Sequence, residues 1–476
     1  MPPLNLLIKP ASGNCNLQCR YCFYRDESRN RAQGNCGMMS DETMGLIVKK
    51  AFDAAERFCT FGFQGGEPML SGLPFFERTI SLQKEYAPRG LAVENLLQTN
   101  GTLMDDKWAA FFAENHFLIG LSLDGPARLH DQNRRTLNGR GSFDQVMRAA
   151  HLLKKYDVPF NTLTVVTAQT ARNIRSVYPF FVEHGFTYQQ YIPCLDPIGE
   201  ARGKERYSLT PELYGDFLKA LVYMAICFFL ISLATSCIGA ICGIGGGVLM
   251  KPALDAFRLL PVETVSFLSG CTVLTMAAYT TLRNRRTEEE PRAIVPMAMG
   301  AAVGGILGKT AFTRAAAVST GIGRVQSAAM LVLLVLSLLY TVFESRITTK
   351  RIAGMVPPLC LGVLLGFFSS FLGIGGGPFN LMAISYFFSL ETKQTAKCSL
   401  TTIFYSQAAG LLWQIITKAV PAFPLGMLVL MASAGLLGGI VGRKIEKRLD
   451  GALVRKLYIA VNVLIIAVCL YNAVSA

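Results

Sequence analysis

Short apolar runs rich in β-branched and aromatic residues recur through the first half of the chain, at 6–12, 59–64, 91–99, 117–124, 160–167 and 188–194. Between them stand stretches whose apolar positions return every three to four residues, such as DETMGLIVKKAFDAAERF and SFDQVMRAAHLLKKY. The first pattern predicts strands, the second amphipathic helices. Six alternations of strand and helix predict a parallel sheet, open or curled into a partial (β/α)6 barrel. Chemistry in such sheets gathers at the carboxyl ends of the strands. Beyond residue 223 the pattern changes. Apolar runs at 224–242, 264–282, 293–312, 326–343, 354–373, 396–416, 423–441 and 455–473 each approach the ~20 residues that cross a bilayer. Runs such as AAMLVLLVLSLLYTVF lack the polar face that a soluble helix turns to water. The expected division is an α/β unit over 1–220 and an all-α membrane unit of about eight spans over 221–476.

The membrane unit repeats itself, in halves of about 224–343 and 354–473. With residue 243 set against 373, GIGGGVLMKPALDAFRLLPVET aligns with GIGGGPFNLMAISYFFSLETKQ, and Ser269 and Thr272 fall opposite Ser399 and Thr402. Two halves of equal plan are common in transporters, with the site between them. A glycine run breaks a helix and frees backbone N–H groups, and the helix that resumes points its positive end at an entering anion. Pro378 suits the first turn of such a helix. The candidate anion pathway is Gly243, Gly245, Gly246, Gly247 and Lys251 in the first half, with Gly373, Gly375, Gly376, Gly377 and Asn380 in the second. A lysine inside a membrane segment is a functional candidate by default. The competing explanation for the glycines is close helix packing.

Charge sharpens this division. Residues 1–223 carry 25 Lys and Arg against 23 Asp and Glu, whereas residues 224–476 carry 21 against 9. The surplus sits in short segments between apolar runs, at 283–292, 344–351 and 442–456, as in cytoplasmic loops of membrane proteins. The expected partner is therefore a lipid bilayer, and nucleic acid is not expected. The start, MPPLNLLIKPASG, lacks the pattern of a signal peptide, so a plasma-membrane protein with a cytoplasmic α/β unit is expected. Eight simple crossings would put basic 442–454 outside, unless the apolar segment 378–390 makes an extra excursion. Thirteen scattered cysteines do not read as a disulfide framework. His116, His130, His151 and His184 all lie in the first half, which leaves the membrane unit without a histidine for metal or proton relay.

The candidate chemistry is CNLQCRYCFY, with Cys15, Cys19 and Cys22 just past the first strand. QGGEP (64–68), QTNGTL (98–103) and SLDGP (122–126) end the next three strands, so four strand ends point to one site. Three thiolates at CxxxCxxC spacing suit a 4Fe-4S cubane with one iron left open to a substrate. Zinc prefers paired CxxC motifs, although spacing alone leaves zinc and chance thiols open.

Together with GLSLDGP, HDQNRR and YIPCLDP, these motifs resemble the radical S-adenosylmethionine (SAM) enzymes, most closely the anaerobic sulfatase-maturating enzymes, from Met1 to about Leu218. The resemblance implies a 4Fe-4S cluster on Cys15, Cys19 and Cys22, and SAM bound at its open iron and cleaved by one electron to methionine and a 5′-deoxyadenosyl radical. It places Tyr21 near the adenine and the backbone around Gly66 at the SAM amino group. Ser122 and Arg134 fall at the ribose and carboxylate, and Leu195 closes on the adenine. The implied partners are a sulfatase peptide, whose Ser or Cys becomes formylglycine, and a flavodoxin- or ferredoxin-type electron donor. Members of that family continue into a cysteine-rich domain with two auxiliary clusters and an Asp base, where this chain turns into VYMAICFFLISLAT. No catalytic base is therefore assigned.

Residues 224–476 resemble the TauE/SafE sulfite exporters, which implies small, often sulfur-containing anions. Outward movement of one anionic charge against ~100 mV, inside negative, gains ~2.3 kcal/mol, so export needs no co-ion. The expected function is transport of small sulfur-containing or organic anions by a chain that also carries a truncated radical SAM domain. A sulfatase-maturating enzyme with a membrane anchor is the alternative. Met224 could start a separate transporter, so joint function of the two halves stays open.

Overall fold

Six strands of the first half form one parallel sheet in strict chain order: β1 (Leu4–Ile8), β2 (Phe58–Phe63), β3 (Ala92–Thr99), β4 (Leu118–Ser122), β5 (Phe160–Val166) and β6 (Gln189–Pro193). The connections carry α1 (Phe23–Asn30), α2 (Asp41–Ala54), α3 (Leu73–Tyr86), α4 (Asp106–Glu114), α5 (Ala127–Asn133), α6 (Phe143–Lys155), α7 (Ala168–Arg172) and α8 (Ile174–Glu183). The result is a half-barrel, a partial β/α barrel. Part of its core is an aromatic cluster. Phe63 meets Phe76 at 5.1 Å between ring centroids, Phe76 meets Trp108 at 5.5 Å, and Phe112 meets Phe117 at 5.2 Å. Helix starts are fixed by side chains: Ser40 accepts from Thr43 N at the head of α2, and Asp105 accepts from Trp108 N at the head of α4. β1 lies earlier than the 6–12 read from hydrophobicity. Pro10 has no N–H for a ladder and Ser12 is left-handed (φ 54°), so pairing stops at Ile8.

The computed structural model describes residues 4–257, 260–284, 294–318, 322–352, 354–421, 423 and 425–475. They form two compact units, Met1–Leu221 and Val222–Ala476. The helices that follow the half-barrel are α9 (Pro211–Cys242), α10 (Gly247–Phe257), α11 (Val262–Asn284), α12 (Ile294–Val318), α13 (Ile322–Phe343), α14 (Val356–Leu372), α15 (Gly377–Phe388), α16 (Thr392–Ile416), α17 (Leu425–Glu446) and α18 (Gly451–Ser475). α10 to α13 begin at 247, 262, 294 and 322, and α15 to α18 begin at 377, 392, 425 and 451, offsets of 130, 130, 131 and 129. The repeat is thus one of five helices, the second of which is short. α10 and α15 have 11 and 12 residues. At ~1.5 Å per residue neither covers the ~30 Å of a bilayer core.

Each apolar run beyond residue 223 lies in a helix over its described residues, and the expected eight spans are matched in part. Five helices among the described residues are long and apolar enough to cross a membrane: Pro211–Cys242, Val262–Arg283, Ile294–Ala315, Leu425–Glu446 and Gly451–Leu470. Ala328–Phe343 and Val356–Leu372 are shorter apolar helices. α16 is long enough, but Gln394, Lys397 and a series of hydroxyls lower its apolarity. Most of the basic segment 283–292 lies outside the described residues. Large side chains such as Leu230, Val303, Val332, Leu364, Val429 and Val463 are more than half exposed, which suits lipid and not water. This is a membrane protein.

Glycines set the closest helix contacts. A Cβ at Gly300, Gly304 or Gly308 of α12 would stand 2.1, 2.1 and 2.3 Å from the carbonyl oxygens of Leu359, Val363 and Phe367 on α14. Gly362 and Gly366 of α14 return the contact against Met297 and Ala301. This is a GxxxGxxxG seam. Gly308→Leu is expected to destabilise the helical unit by about 3 kcal/mol or more. Gly426→Ala, where nothing lies within 4 Å, is expected to be neutral. Size-exclusion profile and thermal midpoint in detergent read both variants, and equal behaviour would refute the seam.

Candidate functional site

The structure brings eight residues nominated from the sequence to one cavity of about 500 Å³: Cys15, Cys19, Tyr21, Cys22, Gly66, Ser122, Arg134 and Leu195. The cavity lies at the carboxyl ends of the strands. The cysteine loop follows β1 and is tied down by the segment after α5. Gln18 N donates to Arg135 O at 2.7 Å, Arg20 N donates to Asn133 O at 3.0 Å, and Leu17 bridges Thr136. Gly66, after β2, must be glycine: its φ is +55°, and a Cβ would stand 2.0 Å from Asn14 O. Glu67, beside it, is buried and accepts from Asn100 N, Thr99 Oγ1 and Met69 N, which locks the QGGEP turn to the end of β3. Ser122 Oγ accepts from Gln98 Nε2 at 3.1 Å, and Leu195 stands two-thirds exposed.

Asp124 is the hub that sequence reading missed. It is 1% exposed and accepts from Arg134 Nε at 3.0 Å, Arg134 Nη2 at 3.2 Å, Val165 N at 3.0 Å and the Tyr21 hydroxyl. The resemblance gives Arg134 to a SAM carboxylate, yet two of its donors are already committed to Asp124. Tyr21 is likewise fixed, with the Arg134 guanidinium 5.4 Å from its ring centroid and Tyr207 edge-on at 6.4 Å. Burial opposes the Arg134 charge, but Asp124, Tyr21 and Cys19 together offset it and hold the guanidinium above its ordinary value. Burial pushes the Cys15 thiol up to about 11 and the Cys19 thiol up to about 12, with Arg134 opposing the rise at Cys19. Among the described residues, no three His, Cys, Asp or Glu converge closely enough to hold a single metal ion. Three thiols around one cavity instead suit a cluster, whose ligands stand farther apart.

His130 supports the hub from behind. Its Nδ1 accepts from Asp124 N at 3.3 Å, its Nε2 donates to Ser142 Oγ at 3.0 Å, and Ser142 donates to Arg134 O at 3.0 Å. Burial lowers its pKa from 6.5 to about 3. The unfolded chain therefore binds the proton first. Stability from this group is complete above pH ~6.5 and declines as pH falls toward ~3, by roughly 5 kcal/mol in total. His130→Gln can make both hydrogen bonds without titrating and is expected to flatten that decline. Trp108 fluorescence in a Trp413→Phe background reports this unit alone, and identical acid profiles for the two proteins would refute the assignment.

In the helical unit each glycine run separates two helices, α9 from α10 and α14 from α15. The runs meet each other. A Cβ at Gly247 would stand 2.7 Å from Ile374 O, and one at Gly245 would stand 3.4 Å from Gly375 O. Symmetry is kept: Gly243 faces Ala396 as Gly373 faces Ser266, again 130 positions apart. Gly246 packs on Ser236, Gly377 on Val248, and Gly376 lies under the Asn380 side chain. The packing explanation for the glycines is therefore real at these positions. Lys251 is buried and donates to the Gln326 side chain and, at 3.0 Å, to Leu372 O, the last residue of α14. Such a cation caps a helix end. Asn380 is fully buried with no hydrogen-bond partner among the described residues. Lys309, inside the run read as span 293–312, shares that property and was not nominated.

Fold and site together define a two-part membrane protein, a radical SAM domain followed by a helical unit with an internal repeat. The chain belongs to the sulfite exporter TauE/SafE family, whose family model matches residues 228–470. The radical SAM superfamily model matches residues 10–180. The N-terminal part is homologous to anaerobic sulfatase-maturating enzymes. It is 52% identical over 221 residues to the cysteine-type enzyme of Clostridium perfringens, which covers 46% of this chain and 60% of that one. It is 36% identical over 231 residues to the serine-type enzyme of Bacteroides thetaiotaomicron, covering 45% and 56%. A solved structure described as native anSMEcpe with bound AdoMet is 50% identical, with a TM-score of 0.46 over 48% of this chain and 62% of that one. The chain thus spans about 60% of the length of the maturating relatives it matches.

Proposed function

We propose that the chain transports small anions, sulfur-containing ones above all, and that its N-terminal unit, bounded near residue 220, binds a 4Fe-4S cluster and SAM and cleaves SAM reductively. The observation that supports the enzymatic half is the convergence of eight residues from separate loops on one cavity. The residues present fit the cofactors. Cys15, Cys19 and Cys22 supply three of the four ligands of a cubane. A cavity of about 500 Å³ is in the range of ligand sites. At Gly66 the main chain is free of any side chain that would hold a ligand away. When bound, cluster and SAM supply one-electron chemistry that removes a hydrogen atom from a substrate carbon.

The chain's own residues orient and enclose. Asp124 fixes Arg134 and Tyr21 against one wall. Glu67 fixes the turn at Gly66 on another. Leu195, exposed beside the opening, covers bound ligand from water. The relatives are named for sulfatase maturation, so a sulfatase peptide and a flavodoxin- or ferredoxin-type electron donor are the candidate partners of this unit. Placement in the plasma membrane with this unit in the cytoplasm is supported by the basic segment 344–351.

The test uses the full chain, purified and reconstituted with iron and sulfide without oxygen. Reduced with dithionite in the presence of SAM, it is expected to form 5′-deoxyadenosine. In proteoliposomes it is expected to carry labelled sulfite. A loaded cluster that leaves SAM intact would defeat the enzymatic half, and absence of flux for every sulfur oxyanion would defeat the transport half.

A further inference from the structure

Lys309 lies in α12, is 1% exposed, and its Nζ has no hydrogen-bond partner among the described residues. An unpaired ammonium away from water is expensive unless something arrives to pair it. Its environment supplies no anion. The ionisable groups that act on it most are Lys251 and Cys271, neither of which is negative at neutral pH. Lys251 in turn has Asp255 and Glu263 acting on it, from α10 and α11. Among the described residues no carboxylate acts on Lys309 in the same way.

The internal repeat supplies a comparison. GGILGK (304–309) and GGIVGR (438–443) hold the same packing position. Gly304 and Gly308 abut Val363 O and Phe367 O, while Gly438 and Gly442 abut Leu233 O and Cys237 O, partners that differ by 130 positions in each case. Lys309 and Arg443 are therefore equivalents. Arg443 donates to Thr280 O at 3.4 Å and Arg283 O at 3.5 Å, in the last described turns of α11. The position equivalent to Thr280 is Gly410, and among the described residues Lys309 Nζ makes no hydrogen bond there or elsewhere. Lys309 has lost the structural role that its counterpart keeps.

What surrounds it is neutral: the Phe312 ring, 6.0 Å from Nζ to its centroid, and a set of polar side chains. A Cβ at Gly410 would lie 3.0 Å from Lys309 Cγ and 3.3 Å from Ser370 Oγ, so both approach one point. Ser370 shares a hydrogen bond of 3.2 Å with Ser406. Gln407, on the same helix as Ser406, is fully buried with Oε1 unpartnered among the described residues.

We propose that Lys309, with Ser370, Ser406 and Gln407, forms an intramembrane site for a small monovalent oxyanion, such as hydrogen sulfite or a short sulfonate. This rests on the anion-transport reading and adds its binding residue and charge class. One uncompensated positive charge matches one negative charge, whereas a dianion would leave a net charge buried. The ligand is small because α12 and α16 approach closely, with Gly305 O only 3.2 Å from a Cβ at Gly410.

The test uses the full chain with methanesulfonate, which is monovalent, and sulfate, which is divalent. Thermal midpoint in detergent reads binding, and flux of labelled hydrogen sulfite into proteoliposomes reads transport. The wild-type protein is expected to be stabilised by methanesulfonate and not by equal sulfate. Lys309→Met is expected to lose that shift and to lower flux by ~30-fold or more, while Lys309→Arg keeps part of both. Without ligand, Lys309→Met should melt no lower than wild type, because it removes an unpaired buried charge. A misfolded Lys309→Met would contradict that premise and overturn the site. Retained flux and shift in Lys309→Met would overturn the site and leave the transport reading standing. Equal stabilisation by sulfate would overturn the charge class. A wild-type protein without shift or flux for any of the three probes would overturn the transport reading itself.

Discussion

Alanine at Cys15, Cys19 and Cys22 together is expected to abolish both the broad absorbance near ~400 nm of the anaerobically reconstituted protein and all 5′-deoxyadenosine formation. The effect is all-or-none because the remaining thiols are badly placed. Cys36 is exposed beyond the cavity, and Cys59 is buried within β2. Cys194 does line the cavity, but its thiol is directed at Leu195 O at 3.7 Å and is pushed up to about 12, chiefly by burial. Cys194→Ala is therefore expected to keep both signals. The fold of the metal-free triple variant should not change, since the loop is held by backbone bonds to Asn133 and Arg135, and the cysteine side chains add only long contacts, Leu17 N and Asn100 Nδ2 to Cys15 Sγ at 3.4 and 3.8 Å. Trp108 emission in the Trp413→Phe background checks this. Absorbance retained by the triple variant would remove the cluster from this loop.

How much of this could be read from the chain depends on how local each signal is. The cysteine loop was legible because its three ligands fall within eight residues. The six strands were legible because each is a short β-branched run between turn residues, and the helices because an apolar run cannot face water. Asp124 was not legible. In SLDGP it looks like a turn residue, and its partners Tyr21, Arg134 and Val165 come from three distant segments. Lys309 was hidden for the opposite reason: within GGILGKTAF it is one polar residue in a run that reads as a span, and only packing reveals that no hydrogen bond or carboxylate among the described residues pairs it. Of the eight expected spans, five have the length and apolarity of a membrane span among the described residues. Ala328–Phe343 and Val356–Leu372 are apolar but shorter, and α16 carries polar residues, Lys397 among them, within a helix of ample length.

Asp124→Ala should have the largest effect on stability in the N-terminal unit. The carboxylate is almost fully buried and takes four hydrogen bonds from three segments of chain. Its removal leaves the 6%-exposed Arg134 as an uncompensated buried charge and strands the Tyr21 hydroxyl and Val165 N–H. Breaking a buried ion pair from one side costs about 3–5 kcal/mol, a large part of the ~5–15 kcal/mol that holds a domain folded. Asp124→Asn keeps an acceptor but not the charge and should fall between the two. Removing both charges is different in kind. Asp124→Leu with Arg134→Met replaces the pair with apolar volume and is expected to recover most of the lost stability, as buried pairs often allow. It should not recover SAM binding, because Arg134 and the Tyr21 it positions both line the cavity. Urea unfolding by Trp108 fluorescence and equilibrium binding of labelled SAM separate the two effects. If Asp124→Ala unfolds at the wild-type midpoint, Asp124 is not the hub of the site; if the double variant regains SAM binding along with stability, the ion pair serves the fold alone.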